Sequence, residues 1–215
     1  MTETTLYGYW RSSATYRTRI ALNLKGIRYK TFGVHLLKDE QNTSEHLARQ
    51  PSGRVPILEI DGHRIGQSMG MVEYLDETRP EPPLLPRDAY LRAHVRDLKD
   101  QIVADIHPLN NTSTLARLRS QFEADDAAIA TWYAHWIVRG FKVLEQMLPS
   151  TGSFCIGGSV TLADIVLVPQ VVNARRYPQI DLKEFPNILR IDDALRQIKA
   201  FSDAAPENQP EASQQ

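Results

Sequence analysis

Cysteine is almost missing from this chain. Cys155 stands alone among 215 residues, so no disulfide can form within the chain. A lone thiol of this kind usually behaves as a small buried hydrophobe. Long apolar runs are missing too: no stretch approaches the roughly 18 apolar residues of a membrane span. The opening "MTETTLYGYW" lacks the basic and apolar regions of a signal peptide, so a cytoplasmic location and no membrane partner are expected. Charge of one sign is not in excess, since 25 Lys+Arg face 26 Asp+Glu for a net charge of -1. No broad basic surface follows, which argues against a nucleic-acid partner. Any arginine cluster is then local and aimed at something small. No His/Cys/Asp/Glu cluster has metal-ligand spacing, so no metal is expected. What is left is an ordinary globular composition, 42% hydrophobic and 24% charged, sufficient for one large domain or two small ones.

The first 80 or so residues alternate strand and helix signals. "TLYGY" (5–9) reads as a strand and "TYRTRIALNLK" (15–25) as a helix, with Ile20, Ala21, Leu22 and Leu24 as its apolar side and Gly26 as its stop. Ser12, Ser13 or Thr15 can cap its start. "RYKTFGV" (28–34) reads as a second strand, so the unit is βαβ with parallel pairing. A short helix is expected around Ser44–Arg49. "VPILEI" (55–60) and "HRIGQ" (63–67) flank Asp61-Gly62, a two-residue hairpin signal. Ser68 is expected to cap the next helix. "PEPPLLPR" (80–87) is a stiff proline-rich linker, and the domain boundary is placed at 83/84. Beyond it, 88–119, 123–148, 162–176 and about 186–200 read as helical. The polar tail "SDAAPENQPEASQQ" is expected to be loose or draped over the surface. The expected fold is therefore α/β plus all-α: residues 1–83 with a mixed four-stranded sheet, and 84–215 all-helical.

Several short motifs carry chemistry. Val55-Pro56 stands immediately before a strand. A cis bond there would turn the Val55 backbone outward to pair with an extended peptide; a trans proline opening an edge strand is the plainer alternative. Gln67-Ser68 ends a strand and opens a helix, where free N–H groups and a hydroxyl suit a carboxylate. "YWRSSATYRTRIAL" (9–22) puts Ser12 and Ser13 among Arg11, Arg17 and Arg19 where a strand becomes a helix. Arg17 is read as a background positive field or, equally, as half of a salt bridge. In "DIHPLNNTS" (105–113) a proline interrupts a helical run. Thr161 and Asp164 have capping-box spacing and are read as structural.

These residues together resemble the zeta class of glutathione transferases, in which a Ser-Ser-Cys segment leads into an Arg-x-Arg-Ile-Ala-Leu helix. "NLKGIRYK", "VPIL", "QSMGMVEYL", "IHPLNN", "TLADIVLVPQV" and "NARRY" extend the resemblance over nearly the whole chain. It implies a thioredoxin-like glutathione-binding domain, a helical substrate-binding domain and a homodimer. It further implies glutathione-dependent cis–trans isomerisation of maleylacetoacetate to fumarylacetoacetate, in tyrosine and phenylalanine catabolism. The alternatives are maleylpyruvate isomerisation in gentisate breakdown and general conjugation of glutathione. Ser12 or Ser13 would hold the glutathione thiolate, with Ser12 favoured. Ala14, Arg17, Val55, Pro56, Gln67 and Ser68 would complete the glutathione site, joined by His107, Asn111, Thr112 and Ser113, some across the dimer interface. Some maleylpyruvate-acting relatives carry arginine around 112–113, so Thr112 and Ser113 favour maleylacetoacetate. Arg11 and Arg176 would hold the carboxylates of a dicarboxylate-like substrate, with Arg175 as the neighbour of Arg176. Ala14 departs from the pattern by replacing the usual cysteine, so the working thiol must be that of glutathione.

Overall fold

A computed structural model describes residues 3–214. The first strand, β1 (Thr5–Gly8), alternates half-buried and buried positions, as a strand with one covered face must. After α1 (Ser13–Leu24) the chain returns in β2 (Lys30–Gly33), parallel to β1 with Thr5 opposite Lys30. The short α2 (Ser44–Arg49) follows, and then β3 (Ile57–Ile60), antiparallel to β1 with Leu6 opposite Leu58. Strand β4 (His63–Ile65) closes a hairpin on β3, giving the sheet order β2-β1-β3-β4. The hairpin turns on Asp61 and Gly62 at φ 54° and 80°, the positive values a type I′ turn requires at both central residues. Helix α3 (Ser68–Thr78) packs on α1.

Leu6, Ile57, Leu58 and Ile60 of the sheet, Ile20 and Leu22 of α1, and Met71, Val72 and Leu75 of α3 are all buried. Each such side chain contributes about 1.5–3 kcal/mol over leaving it in water. Gly8 lies so close to α1 that a Cβ there would stand 2.4 Å from Thr15 Cγ2. That close approach brings the end of β1 onto the first turn of α1.

The tail differs from expectation. Phe201, Ala204, Ala205 and Pro206 are buried, and α9 (Lys199–Ser202) packs on α1. Tyr16 Oη donates to Phe201 O (3.2 Å) and Asn23 Nδ2 to Ala200 O (3.1 Å). The chain accordingly divides into one unit that runs up to Leu84 and resumes at Gln197, and a second spanning Leu85–Arg196. The boundary expected at 83/84 lies beside this division, but the residues after Arg196 pack with the first unit rather than the second. The linker is tethered as well: Lys25 Nζ donates to Pro82 O (2.6 Å) and pairs with Asp76 (2.8 Å), whose Oδ1 also accepts from Leu84 N.

The second unit is helical. The run expected over 88–119 is divided into α4 (Ala89–Val103) and α5 (Thr112–Phe122), with a single 3₁₀ turn at Pro108–Asn110 between them. Pro108 has no N–H to continue the α ladder. Then come α6 (Asp126–Met147), α7 (Leu162–Ala174) and α8 (Pro186–Arg196). Helix α7 packs against α4 and α8 and is buried nearly all round. Its start is fixed by Asp164, whose Oδ2 accepts from Thr161 N (2.7 Å) and Thr161 Oγ1 (2.8 Å) and whose Oδ1 accepts from Cys155 N (2.7 Å). Burial pushes the Asp164 carboxyl up and the Cys155 thiol well up, which makes Cys155 an inert core thiol. Among the described residues no helix is long and apolar enough to cross a membrane.

Candidate active site

In the first unit the site is built on two helix starts. Ser12 is the N-cap of α1: its Oγ accepts from Thr15 N at 3.2 Å. The same residue closes the preceding turn through Ser12 N donating to Tyr9 O (3.0 Å). Ser12 is half-buried. Its hydroxyl proton has no acceptor among the described residues, so it points the site's chemistry at an incoming acceptor. Ser13 is the first residue of α1 and buried, and Ala14 follows half-buried. The choice of cap left open among Ser12, Ser13 and Thr15 therefore falls on Ser12.

The second start is that of α3. Its N-cap is Gln67, exposed and making no side-chain capping bond, and Ser68 is the first helical residue. Ser68 was expected to be the cap itself. The difference of one residue matters, because it leaves the first-turn N–H groups of α3 without a capping side chain or an acidic neighbour. Such an end favours an anion. Gln50, which the sequence reading passed over, braces this turn: its Nε2 donates to Gly66 O at 2.9 Å. Gly66 was the available signal, since a Cβ there would fall 2.0 Å from Gln50 Nε2.

Arg17 lies between the two starts. It is 1% exposed, and its Nη1 reaches Ser68 Oγ at 3.5 Å. Nε and Nη2 are buried without a partner, and no carboxylate among the described residues pairs with it. Burial alone pulls its pKa from 12.5 to about 10, so it remains a cation at neutral pH. The alternative of a salt bridge for Arg17 is thereby set aside. A buried charge with unused donors is costly unless something anionic meets it.

Two further features of the same unit concern the remaining first-unit candidates. The Val55-Pro56 peptide is cis, and Val55 engages none of the backbone hydrogen bonds among the described residues outside helices and strands. Arg11 is half-buried with its guanidinium carbon 5.5 Å from the centre of the Trp10 ring.

The remaining candidates lie in the second unit. Asn111 is the N-cap of α5, its Oδ1 accepting from Ser113 N (3.2 Å) and Thr112 Oγ1 (3.2 Å). Asn111, Thr112 and Ser113 thus form one capping cluster, with the two hydroxyl residues exposed. His107 is half-buried just before the 3₁₀ turn. Arg175 pairs with the fully buried Asp192 at 2.6 Å. Arg176 sits one residue further on, exposed, in the turn after α7. The aromatic ring of its neighbour Tyr177 stacks on Tyr133 with centroids 3.9 Å apart.

Residues 2–77 match the family model for the N-terminal domain of glutathione S-transferases, and 113–204 match that for the C-terminal domain. The chain belongs to the glutathione S-transferase family. Within that family it is 44% identical to maleylacetoacetate isomerase of Dictyostelium discoideum, over all of both chains. A holo structure of maleylpyruvate isomerase, a bacterial zeta-class glutathione S-transferase, superposes with a TM-score of 0.93 at 44% identity, covering 96% of this chain and 98% of the other. A maleylacetoacetate isomerase from Methylobacterium extorquens with bound malonate and glutathione gives a TM-score of 0.92 at 34% identity, covering 96% and 98%. The resemblance read from the Ser-Ser segment and the first helix thus extends over nearly the whole length of a zeta-class relative.

Proposed function

We propose that the protein is a glutathione-dependent cis–trans isomerase that converts maleylacetoacetate to fumarylacetoacetate. The observation that carries the reading is Arg17: a buried cation with two idle donors beside the uncapped start of α3. Glutathione suits this donor set, because its γ-glutamyl carboxylate is the anion the α3 start calls for and its peptide groups match the idle backbone of Val55. When bound, glutathione supplies a thiolate that adds reversibly to the cis double bond, permits rotation and leaves again.

The chain's own residues hold and orient. Ser12 would donate a hydrogen bond from its hydroxyl to the sulfur. A hydrogen bond to a charged group is worth about 1.5–3 kcal/mol. That lowers a thiol pKa of about 8.5 by roughly one to two units, enough to make thiolate the major form near neutrality. Ser13 backs it from the buried side, Ala14 leaves space beside it, and Gln67 and Ser68 with Arg17 take the γ-glutamyl end. His107, Asn111, Thr112 and Ser113 are further glutathione contacts, some reaching a partner subunit in a homodimer. Arg11 and Arg176 orient the substrate's carboxylates, since arginine pairs with a carboxylate in a fixed fork.

A second reading, maleylpyruvate as substrate, is favoured by the holo maleylpyruvate isomerase that superposes so closely. Thr112 and Ser113, standing where some maleylpyruvate-acting relatives carry arginine, support maleylacetoacetate. An isomerase assay on both substrates, with and without glutathione, separates the readings. Equal rates with and without glutathione would sink both. The reading implies a homodimer of the cytoplasm, and sedimentation velocity checks the assembly.

A further inference from the structure

The second arginine of the first helix is absorbed by none of these roles. Arg19 is 1% exposed, and no carboxylate among the described residues pairs with it directly. Its guanidinium instead spans two backbone carbonyls. Nε donates to Ala204 O at 2.9 Å and Nη2 to Trp10 O at 3.1 Å. Trp10 lies inside the turn that Ser12 N closes on Tyr9 O. Ala204 lies in the returning tail, which is clamped independently by Tyr16 Oη on Phe201 O and Asn23 Nδ2 on Ala200 O.

We infer that Arg19 is a positioning residue for the turn that carries Ser12, and that the returning tail is the abutment it braces against. The inference rests on the reading of Ser12 as the thiolate's donor. A planar guanidinium satisfies two carbonyls at a fixed angle and separation, which an apolar residue or a lysine cannot do. A buried charge spent on neutral carbonyls is dear in desolvation. Its pKa is drawn down to about 10 by burial, against weaker opposing pulls that include Glu211 and Glu207 of the same tail. An apolar side chain would fill this space at less cost, so the fork's geometry is what the position uses. With the fork in place, the Trp10 carbonyl is fixed from behind and the Ser12 hydroxyl two residues on is held at one place relative to α1.

Arg19→Lys keeps the charge and loses the fork. Its expected effect is a raised thiolate pKa of bound glutathione, read from the ultraviolet absorbance of the thiolate against pH. Isomerase kcat/KM should then fall about tenfold for each unit by which that pKa rises, at pH below the wild-type thiolate pKa, and by progressively less as pH approaches the free thiol value of about 8.5. At a pH above that value, glutathione ionises unaided and the loss should vanish. A merely structural role would lower activity evenly across the profile. A folded Arg19→Lys protein with the wild-type thiolate pKa and pH profile overturns the inference. Tyr16→Phe is the second probe, because it removes the hydroxyl that holds Phe201 O and keeps the ring that lies 5.7 Å from the Arg19 guanidinium carbon. It should give the same low-pH loss in weaker form, and if Arg19→Lys fails to fold, an unchanged profile in Tyr16→Phe overturns the inference. Ser12→Ala separates the two layers. If it leaves the thiolate pKa unchanged, the reading of Ser12 fails; if it raises the pKa while Arg19→Lys does not, only the role of Arg19 fails.

Discussion

Replacing Arg17 by methionine should make the protein more stable and a poorer binder of glutathione at the same time. Arg17 is 1% exposed, with Nε and Nη2 unpartnered. Burial draws its pKa from 12.5 to about 10, a cost of about 3 kcal/mol for keeping the charge inside. The sign is that of a base whose charged form the fold disfavours, so the cost is borne at every pH below about 10. Methionine follows the aliphatic stem and removes the charge. Exchanges of this kind are neutral or stabilising by about 1–4 kcal/mol. At this chain length each kcal/mol moves the thermal midpoint by about 2–4 °C. Against that gain, a lost hydrogen bond to a charged ligand group costs about 1.5–3 kcal/mol, or roughly 10- to 150-fold in Kd. Thermal unfolding with and without glutathione, together with calorimetric titration, reads both quantities. The wild-type midpoint should rise with glutathione, and the variant should start higher and rise less. A variant that is less stable alone and binds glutathione as tightly as wild type would refute the reasoning and make Arg17 a structural cation.

Thr161→Ala should cost about 0.5–2 kcal/mol in chemical denaturation without altering glutathione affinity, because its hydroxyl and amide serve Asp164 at the start of α7. Arg175→Ala and Arg176→Ala should separate by kind. The first leaves the fully buried Asp192 without its partner and should cost about 1–3 kcal/mol of stability, less than a fully buried pair because Arg175 is part-exposed. The second should raise KM for the substrate by about tenfold or more. Asp61 predicts an acid limb. Hydrogen bonds from Arg79 and then Tyr74 lower its carboxyl from 3.8 to about 2, so its stabilisation is full above the unfolded value and is lost as pH falls from about 4 to about 2. The group is exposed, so the limb should be shallow, and an Asp61→Asn variant should lack it when melting is followed over that window.

The features legible in the sequence were those settled within a few residues. The Asp61-Gly62 turn, the Thr161–Asp164 capping pair and the helix 44–49 are each specified by local chemistry, and the structure has them where they were read. The start of α3 differs by one residue: Gln67 is the N-cap without a side-chain capping bond, although serine is the stronger capping residue by local chemistry. The tail was misread for a different reason. Its composition is polar, and its apolar Ala204 and Ala205 are buried where α1 holds the segment through Asn23 on Ala200 O, Tyr16 on Phe201 O and Arg19 on Ala204 O. The site was half legible. Serines at a helix start are visible in one dimension, but whether Arg17 meets a carboxylate depends on where 26 acidic residues end up, and no spacing rule supplies that.

The return of the chain to its first unit also sets a timetable. Synthesis runs from the N-terminus and domains generally fold as they emerge, yet Arg19 and Tyr16 cannot engage their carbonyls until Ala204 and Phe201 have been made. Until then α1 carries a buried-type cation whose two carbonyl partners are not both in place. The helical unit, contiguous from Leu85 to Arg196, has all its residues in hand sooner. The first unit, begun first, is therefore finished last, and a nascent chain does not acquire a braced Ser12 turn before its second unit has been translated.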